Sequence, residues 1–170
     1  MKVLGIVGWS GSGKTTLLTA MIGCLRARGL TVSTIKHAHH AMEMDQPGKD
    51  SYRHRHAGAS ETILANAARF ALFSEHREAP EPDLAALLAR LAPVDIVLVE
   101  GFKSYEFPKL EVYRPHLGKA PLWVEMKMLA VASDAALPDC PVPVLDLNKP
   151  DDVTYFVLSR LGLETGVSAQ

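Results

Sequence analysis

The stretch Val3-Leu4-Gly5-Ile6-Val7-Gly8-Trp9-Ser10-Gly11-Ser12-Gly13-Lys14-Thr15-Thr16 decides the fold. Its first five residues are a short apolar run with β-branched members, the pattern of a buried strand. Gly8–Thr15 then spells G-x-x-x-x-G-K-T, the Walker A spacing. The glycines let the backbone curl until successive N–H groups point inward at phosphate oxygens. Lys14 places a point charge on the β- and γ-phosphates. The Thr15 hydroxyl joins the shell of a Mg²⁺ that bridges them. A helix starting at Lys14 aims its positive end at the same place. A chance glycine-rich turn would lack the strand before it and the helix after it; both are expected here.

From Lys14 onward the apolar period changes. Leu17, Leu18, Met21, Ile22 and Leu25 share one helical face, Arg26 and Arg28 stand at its end, and Gly29 supplies a left-handed cap. Thr31–Lys36 reads as a second strand. Residues 37–60 are polar and rich in His, so they read as a long loop. Thr62–Ala65 and Arg69–Phe73 pair as a hairpin around Asn66. Asp83 is placed to N-cap a helix carrying Leu84, Leu87, Leu88 and Leu91. Ile96–Val99 is a near-continuous apolar strand. Lys109–Tyr113 alternates polar and apolar residues, which predicts a half-exposed strand and a candidate pairing edge. Leu129–Ala132 and Val142–Leu147 are further short apolar runs. Val153, Phe156, Val157 and Leu161 make a final amphipathic helix. Apolar strands alternating with helices predict an α/β fold: a mainly parallel, P-loop NTPase-like sheet with helices on both faces, plus a β-hairpin extension. Residues 1–163 read as one nucleotide-binding domain and 164–170 as a frayed tail. Ligands of such sheets sit at the carboxyl ends of the strands.

The 170 residues carry 18 Lys+Arg against 19 Asp+Glu, a net charge of −1. That balance argues against a broad nucleic-acid or membrane-surface footprint. No apolar run approaches the ~20 residues of a bilayer span. The glycine-rich run with Lys14 does not resemble a signal-peptide cleavage site. Cytoplasm is the expected location. Cys24 and Cys140 are too few for a disulfide framework and read as small buried hydrophobes.

A phosphate loop that holds Mg²⁺ needs an acid nearby. The strand Ile96–Val99 ends at Glu100-Gly101, making Glu100 the candidate acid; Gly101 would admit backbone close to a γ-phosphate. Asp95, at the other end of that strand, reads as structural. Asn148-Lys149-Pro150-Asp151 spells N-x-x-D after an apolar strand, and an Asp there accepts from N1–H and N2–H₂ of guanine. The same residues suit a helix start. Ser133-Asp134, one strand earlier, is a rival base reader. The sequence does not choose between Asp134 and Asp151, and either favours GTP. No arginine stands out as a finger in cis, which fits slow intrinsic hydrolysis.

His37, His39, His40, His54 and His56 crowd residues 37–56. One reading is a transition-metal site, although cysteine support and ligand spacing are lacking. A second, preferred here, is substrate or anion binding beside the γ-phosphate by Lys36, His37, His39, His40, Lys49 and Asp50, shared with Arg53 and Arg55. A third is a solvated loop.

Taken together, Gly8–Thr16 (GWSGSGKTT), Ile35–His40 (IKHAHH), Asp45–Tyr52 (DQPGKDSY), Ala57–Ala59 (AGA), Val99–Lys103 (VEGFK), Lys109–Val112 (KLEV) and Ala130–Asp134 (AVASD) resemble one family. It is molybdopterin-guanine dinucleotide biosynthesis protein B, MobB. The pieces run in order over about residues 3–160. The resemblance implies a P-loop domain, GTP and Mg²⁺ as ligands, weak GTPase activity and a homodimer. It implies a partner, the guanylyltransferase that joins GMP to molybdopterin, which this protein would assist. It carries phosphate binding to Gly11, Ser12, Gly13, Lys14, Thr15 and Thr16, and the metal-side acid to Glu100 with Thr15. Asp45 is a second candidate acid. One departure is Ala41, where the family pattern has an acid after the paired histidines; Glu43 or Asp45 would substitute. Two other functions suit the same residues: an ATP-dependent small-molecule kinase or synthetase, and a nickel-insertion GTPase.

Overall fold

The structure is a computed structural model and describes residues 1–38 and 43–163. The chain forms two compact units, Met1–His37 with Leu87–Gln170, and Ala38–Ala86. Among the described residues no helix is long and apolar enough to cross a membrane.

The first unit is built on six strands: β1 (Lys2–Val7), β2 (Val32–Lys36), β5 (Ile96–Glu100), β6 (Lys109–Tyr113), β7 (Ala130–Ser133) and β8 (Val144–Asp146). They lie in the order β2-β5-β1-β6-β7-β8. Every pairing is parallel, with Gly5 opposite both Val99 and Lys109. Leu4, Ile6, Ile96, Leu98, Leu110, Val112, Ala130 and Ala132 alternate to one face. There they bury α1 (Lys14–Ala27) through Leu17, Leu18, Met21 and Leu25, and α4 (Pro150–Leu161) through Val153, Val157, Leu158 and Leu161. The opposite face around Val7 is covered by a short segment carrying Leu122, Trp123, Met126 and Met128.

Helix α1 ends as its sequence predicts. Gly29 has φ 77°, its N–H reaches Arg26 O and the Leu30 N–H reaches Leu25 O, the paired bonds of a Schellman cap. Asp95 is structural: its carboxylate accepts from Thr31 N at 2.7 Å and Thr31 Oγ1 at 2.5 Å.

Strand β6 departs from expectation. It is an interior strand between β1 and β7, not an edge, and its first four residues are buried. Its polar residues find partners inside. Lys109 Nζ donates to Tyr105 O, and Glu111 accepts from Leu122 N at 2.8 Å and Trp123 N at 3.0 Å. Alternation reports which face a residue takes, and here both faces are covered. The cysteines also differ from their reading: Cys24 and Cys140 are only half-buried. Burial, with the Asp151 side chain beside it, pushes the Cys24 thiol above its ordinary pKa.

In the second unit β3 (Glu61–Ala65) and β4 (Phe70–Ser74) form the expected antiparallel hairpin. Residues 37–60, read as loop, contain a helix, α2 (Asp50–His56). Charge and local stacking hold it rather than an apolar stripe. Asp50 lies in its first turn and Arg53 and Arg55 in its last, complementing the helix dipole. Tyr52 and His56 stack with ring centroids 4.0 Å apart. Helix α3 (Leu84–Ala89), whose last three residues belong to the first unit, is N-capped by Asp83, whose carboxylate accepts from Ala86 N at 2.8 Å.

Candidate functional site

The loop between β1 and α1 curls because Gly8, Gly11 and Gly13 all take positive φ, at 146°, 79° and 99°. At Gly8 even a methyl group is impossible, since a Cβ would stand 2.4 Å from Val112 O of β6. Gly13 is the left-handed residue from which α1 starts. Inside the curl the Ser12 side chain is buried, and among the described residues its hydroxyl has no hydrogen-bond partner. Lys14 Nζ reaches back across the loop to Trp9 O at 2.9 Å. Burial holds its ammonium below the usual lysine pKa; Glu100 opposes that shift, while Lys103 and Lys36 add to it. Thr15 and Thr16 are exposed at the helix start. An orphaned buried hydroxyl, a curl of glycines and a half-desolvated lysine fit a phosphate chain.

Glu100 ends β5 and is half-buried, its Oε2 3.8 Å from Lys36 Nζ. Its carbonyl accepts from His37 N at 2.8 Å. Lys14, Glu100, Lys36 and His37 are thus gathered at the carboxyl ends of β2, β5 and β1, as the fold class requires. Gly101 has φ 105°, and a Cβ there would stand 2.6 Å from the His37 Cβ. This close approach of His37 gives Gly101 a reason independent of any phosphate.

Trp9 fastens the loop from outside. Its indole N–H donates to Ala120 O at 2.7 Å, and Lys103 and Lys119 stand over its ring at 5.1 and 5.9 Å from the centroid.

Sequence reasoning missed Arg114, directly after β6. Its Nε donates to Ser12 O at 3.0 Å, and its Nη1 is hydrogen-bonded to Asp134. One guanidinium thereby ties the phosphate loop to the end of β7. The signal was available in the rule that chemistry follows each strand. Reading β6 as a half-exposed pairing edge hides it.

Asp134 and Asn148 line one concavity at the carboxyl ends of β7 and β8, with Ser133 and Asp146. Asn148 also lines a cleft of about 230 Å³ with Gly13, Thr16 and Arg114. Asp151 does not join them. It faces Arg28 at 3.3 Å in the first turn of α4, with its side chain 72% exposed.

In the second unit Asp45 is buried and engaged. Its carboxylate accepts from Gln46 N and Ser51 Oγ, each at 2.9 Å, and from Arg55 Nη1 at 3.4 Å. Arg55 also binds Glu43 at 3.0 Å and Glu75 at 2.7 Å. Lys49 and Asp50 are exposed, lining a concavity beside Leu64. His39 and His40 lie outside the described residues. Among the described residues no three His, Cys, Asp or Glu side chains are arranged to hold a metal ion.

Comparison with known proteins accords with this architecture. The family model for MobB, molybdopterin guanine dinucleotide synthesis protein B, matches residues 3–134. The chain belongs to the MobB family. A MobB relative from Escherichia coli strain K12, a molybdopterin-guanine dinucleotide biosynthesis adapter protein, is 42% identical over 98% of this chain and 97% of its own. One of the same name from Haemophilus influenzae is 41% identical over 92% of this chain and 88% of its own. Among solved MobB structures, the homolog from Bacillus stearothermophilus superposes with a TM-score of 0.74 at 26% identity, covering 96% of this chain and all of that one. The MobB fold, a mostly parallel P-loop NTPase-like sheet with helices, is the fold of this chain.

Proposed function

We propose that this chain is a GTP-binding adapter with slow GTPase activity, acting in the cytoplasm to assist the transfer of GMP onto molybdopterin by a guanylyltransferase. The observation that carries the reading is the loop Gly8–Thr16, with its curl of glycines, buried orphan hydroxyl and Lys14 opposite Glu100. The names of the relatives supply the pathway.

In this reading the loop amides and Lys14 hold the β- and γ-phosphates, and Gly11, Ser12, Gly13 and Thr16 shape the cradle. Thr15 and Glu100 hold Mg²⁺, which when bound neutralises charge developing on the phosphates. Asp134 and Asn148 read guanine. Asp151, turned toward Arg28 in the first turn of α4, complements the helix dipole instead. Asp45 holds α2 through Ser51 and Arg55. Lys36 and His37 border the γ-phosphate side, and Lys49 and Asp50 contact the substrate. Arg114 positions the loop, fixing the Ser12 carbonyl. The chain acts as a homodimer. Ile63, Leu72 and Phe70 share one hairpin face and are 65%, 38% and 71% exposed, an apolar surface suited to a second copy.

Calorimetric titration with GTP and with ATP, each with Mg²⁺, tests the reading. A GTP preference of at least about tenfold (~1.4 kcal/mol) is expected, with binding lost in Lys14→Ala. Equal binding or an ATP preference would reject the guanine assignment and favour a kinase or synthetase.

A further inference from the structure

On the sheet face opposite α1 and α4 runs a groove of about 740 Å³, larger than the cleft beside the phosphate loop. Residues 103–109 form one wall and 125–129 the other. The Phe107 ring lies on β1 so closely that a Cβ at Gly5 would stand 2.2 Å from it. Tyr105, Met126 and Met128 add further apolar surface.

Into this apolar setting β6 brings Lys109, only 6% exposed. An ammonium has three donors and no acceptor. Among the described residues Lys109 donates one hydrogen bond, to Tyr105 O, and stands 4.7 Å from the Phe107 ring centroid. Among those residues no carboxylate lies within ion-pair distance of it; Glu106 acts only from farther away. Burial pushes the ammonium below its ordinary pKa. A buried charge without a counter-charge is expensive, and a methionine of similar length would pack there without that cost. At the exposed rim Lys103 and Lys127 stand with Glu106 and Glu125, so the rim charges balance and the buried Lys109 leaves the groove with a net positive charge.

We propose that this groove is a binding site for a flat heteroaromatic anion, whose charge pairs with Lys109 and whose ring lies against Phe107, Tyr105 and Met126. Aromatic and thioether walls suit a planar ring, and the ammonium supplies the missing partner for an anionic substituent. A pterin phosphate has this chemistry. Placing the molybdopterin half of the dinucleotide here therefore rests on the proposed function, whereas the anion site itself does not. Lys103 both lines the groove and covers Trp9 of the phosphate loop, so the two sites share a residue.

The test uses the full chain and pterin-6-carboxylate, a fluorescent flat anion, titrated at low salt by anisotropy. Saturable one-to-one binding is expected, weakened at least about tenfold in Lys109→Met. Lys127→Ala, an exposed change that cannot unfold the protein, should weaken it severalfold. Unsubstituted neutral pterin should bind more weakly than the anion. Without ligand, Lys109→Met should melt at or above the wild-type temperature; a purely structural lysine would make it melt lower. Absence of saturable binding at millimolar probe, equal affinity in Lys127→Ala, or loss of the probe on adding GTP would each overturn the proposal. GTP titrated into the same samples separates the two readings. Failure of GTP with the probe still bound rejects the nucleotide assignment alone, and the converse rejects the groove alone.

Discussion

Two aspartates that look alike in sequence have different surroundings. Asp134 lies beside Asn148 and is tied through Arg114 to the phosphate loop. Asp151 is largely exposed and meets Arg28. Asp134→Ala should therefore lower GTP affinity by about tenfold or more and erase the preference over ATP. Asp151→Ala should leave nucleotide binding unchanged and cost at most about 1 kcal/mol, as exposed ion pairs do; calorimetry and urea unfolding on both variants decide this. Glu111 offers a pH test. Burial raises its carboxyl above the ordinary 4.5, although the amides of Leu122 and Trp123 favour the charged form. A raised acid stabilises the fold below its unfolded pKa, and that contribution is lost as pH climbs through the folded pKa. Glu111→Gln lacks this term. Its stability deficit against wild type should narrow as pH rises from 4.5 upward, read by unfolding across that range.

At the scale of elements, the segment leading into β6 lays the Phe107 ring on the bare backbone of β1 at Gly5. Gly5→Ala would put a methyl into the Phe107 ring and force it to move. The expected cost is about 1–3 kcal/mol of unfolding free energy, typical of overpacking, with groove binding weakened in parallel. Helix α2 teaches a different lesson. Its seven residues DSYRHRH hold no apolar period, so a search for amphipathic stripes passes over them. Dipole-matched charges, a Tyr52–His56 stack and the buried Asp45–Ser51–Arg55 network make the helix instead. Its formation depends on partners far along the chain, such as Glu75.

For the whole molecule, the hairpin bears on assembly. Opposed Ile63 and Leu72, with Phe70 on the same face, are exposed, while the other face carries Phe73 under the Arg55 guanidinium at 5.0 Å. Phe70→Asp should leave the fold intact, because its side chain is 71% exposed in the monomer. Sedimentation should show a dimer for the wild type and a monomer for the variant. A dimeric variant would place the interface elsewhere.

The sequence by itself determined the phosphate loop, the alternation of strands and helices, the hairpin and the family. These rest on short-range rules: the spacing of glycines and lysine, the apolar period, and a cap such as Gly29. Only the tertiary structure decided where polar residues stand. Strand β6 reads as half-exposed because Lys109 and Glu111 alternate with apolar neighbours, yet pairing on both sides and cover on both faces bury them. Arg114 became part of the site only when β6 lay between β1 and β7, and Asp134 parted from Asp151 only when α4 turned toward Arg28. Local pattern encodes period and motif chemistry, whereas burial and charge partners are set by which strands become neighbours.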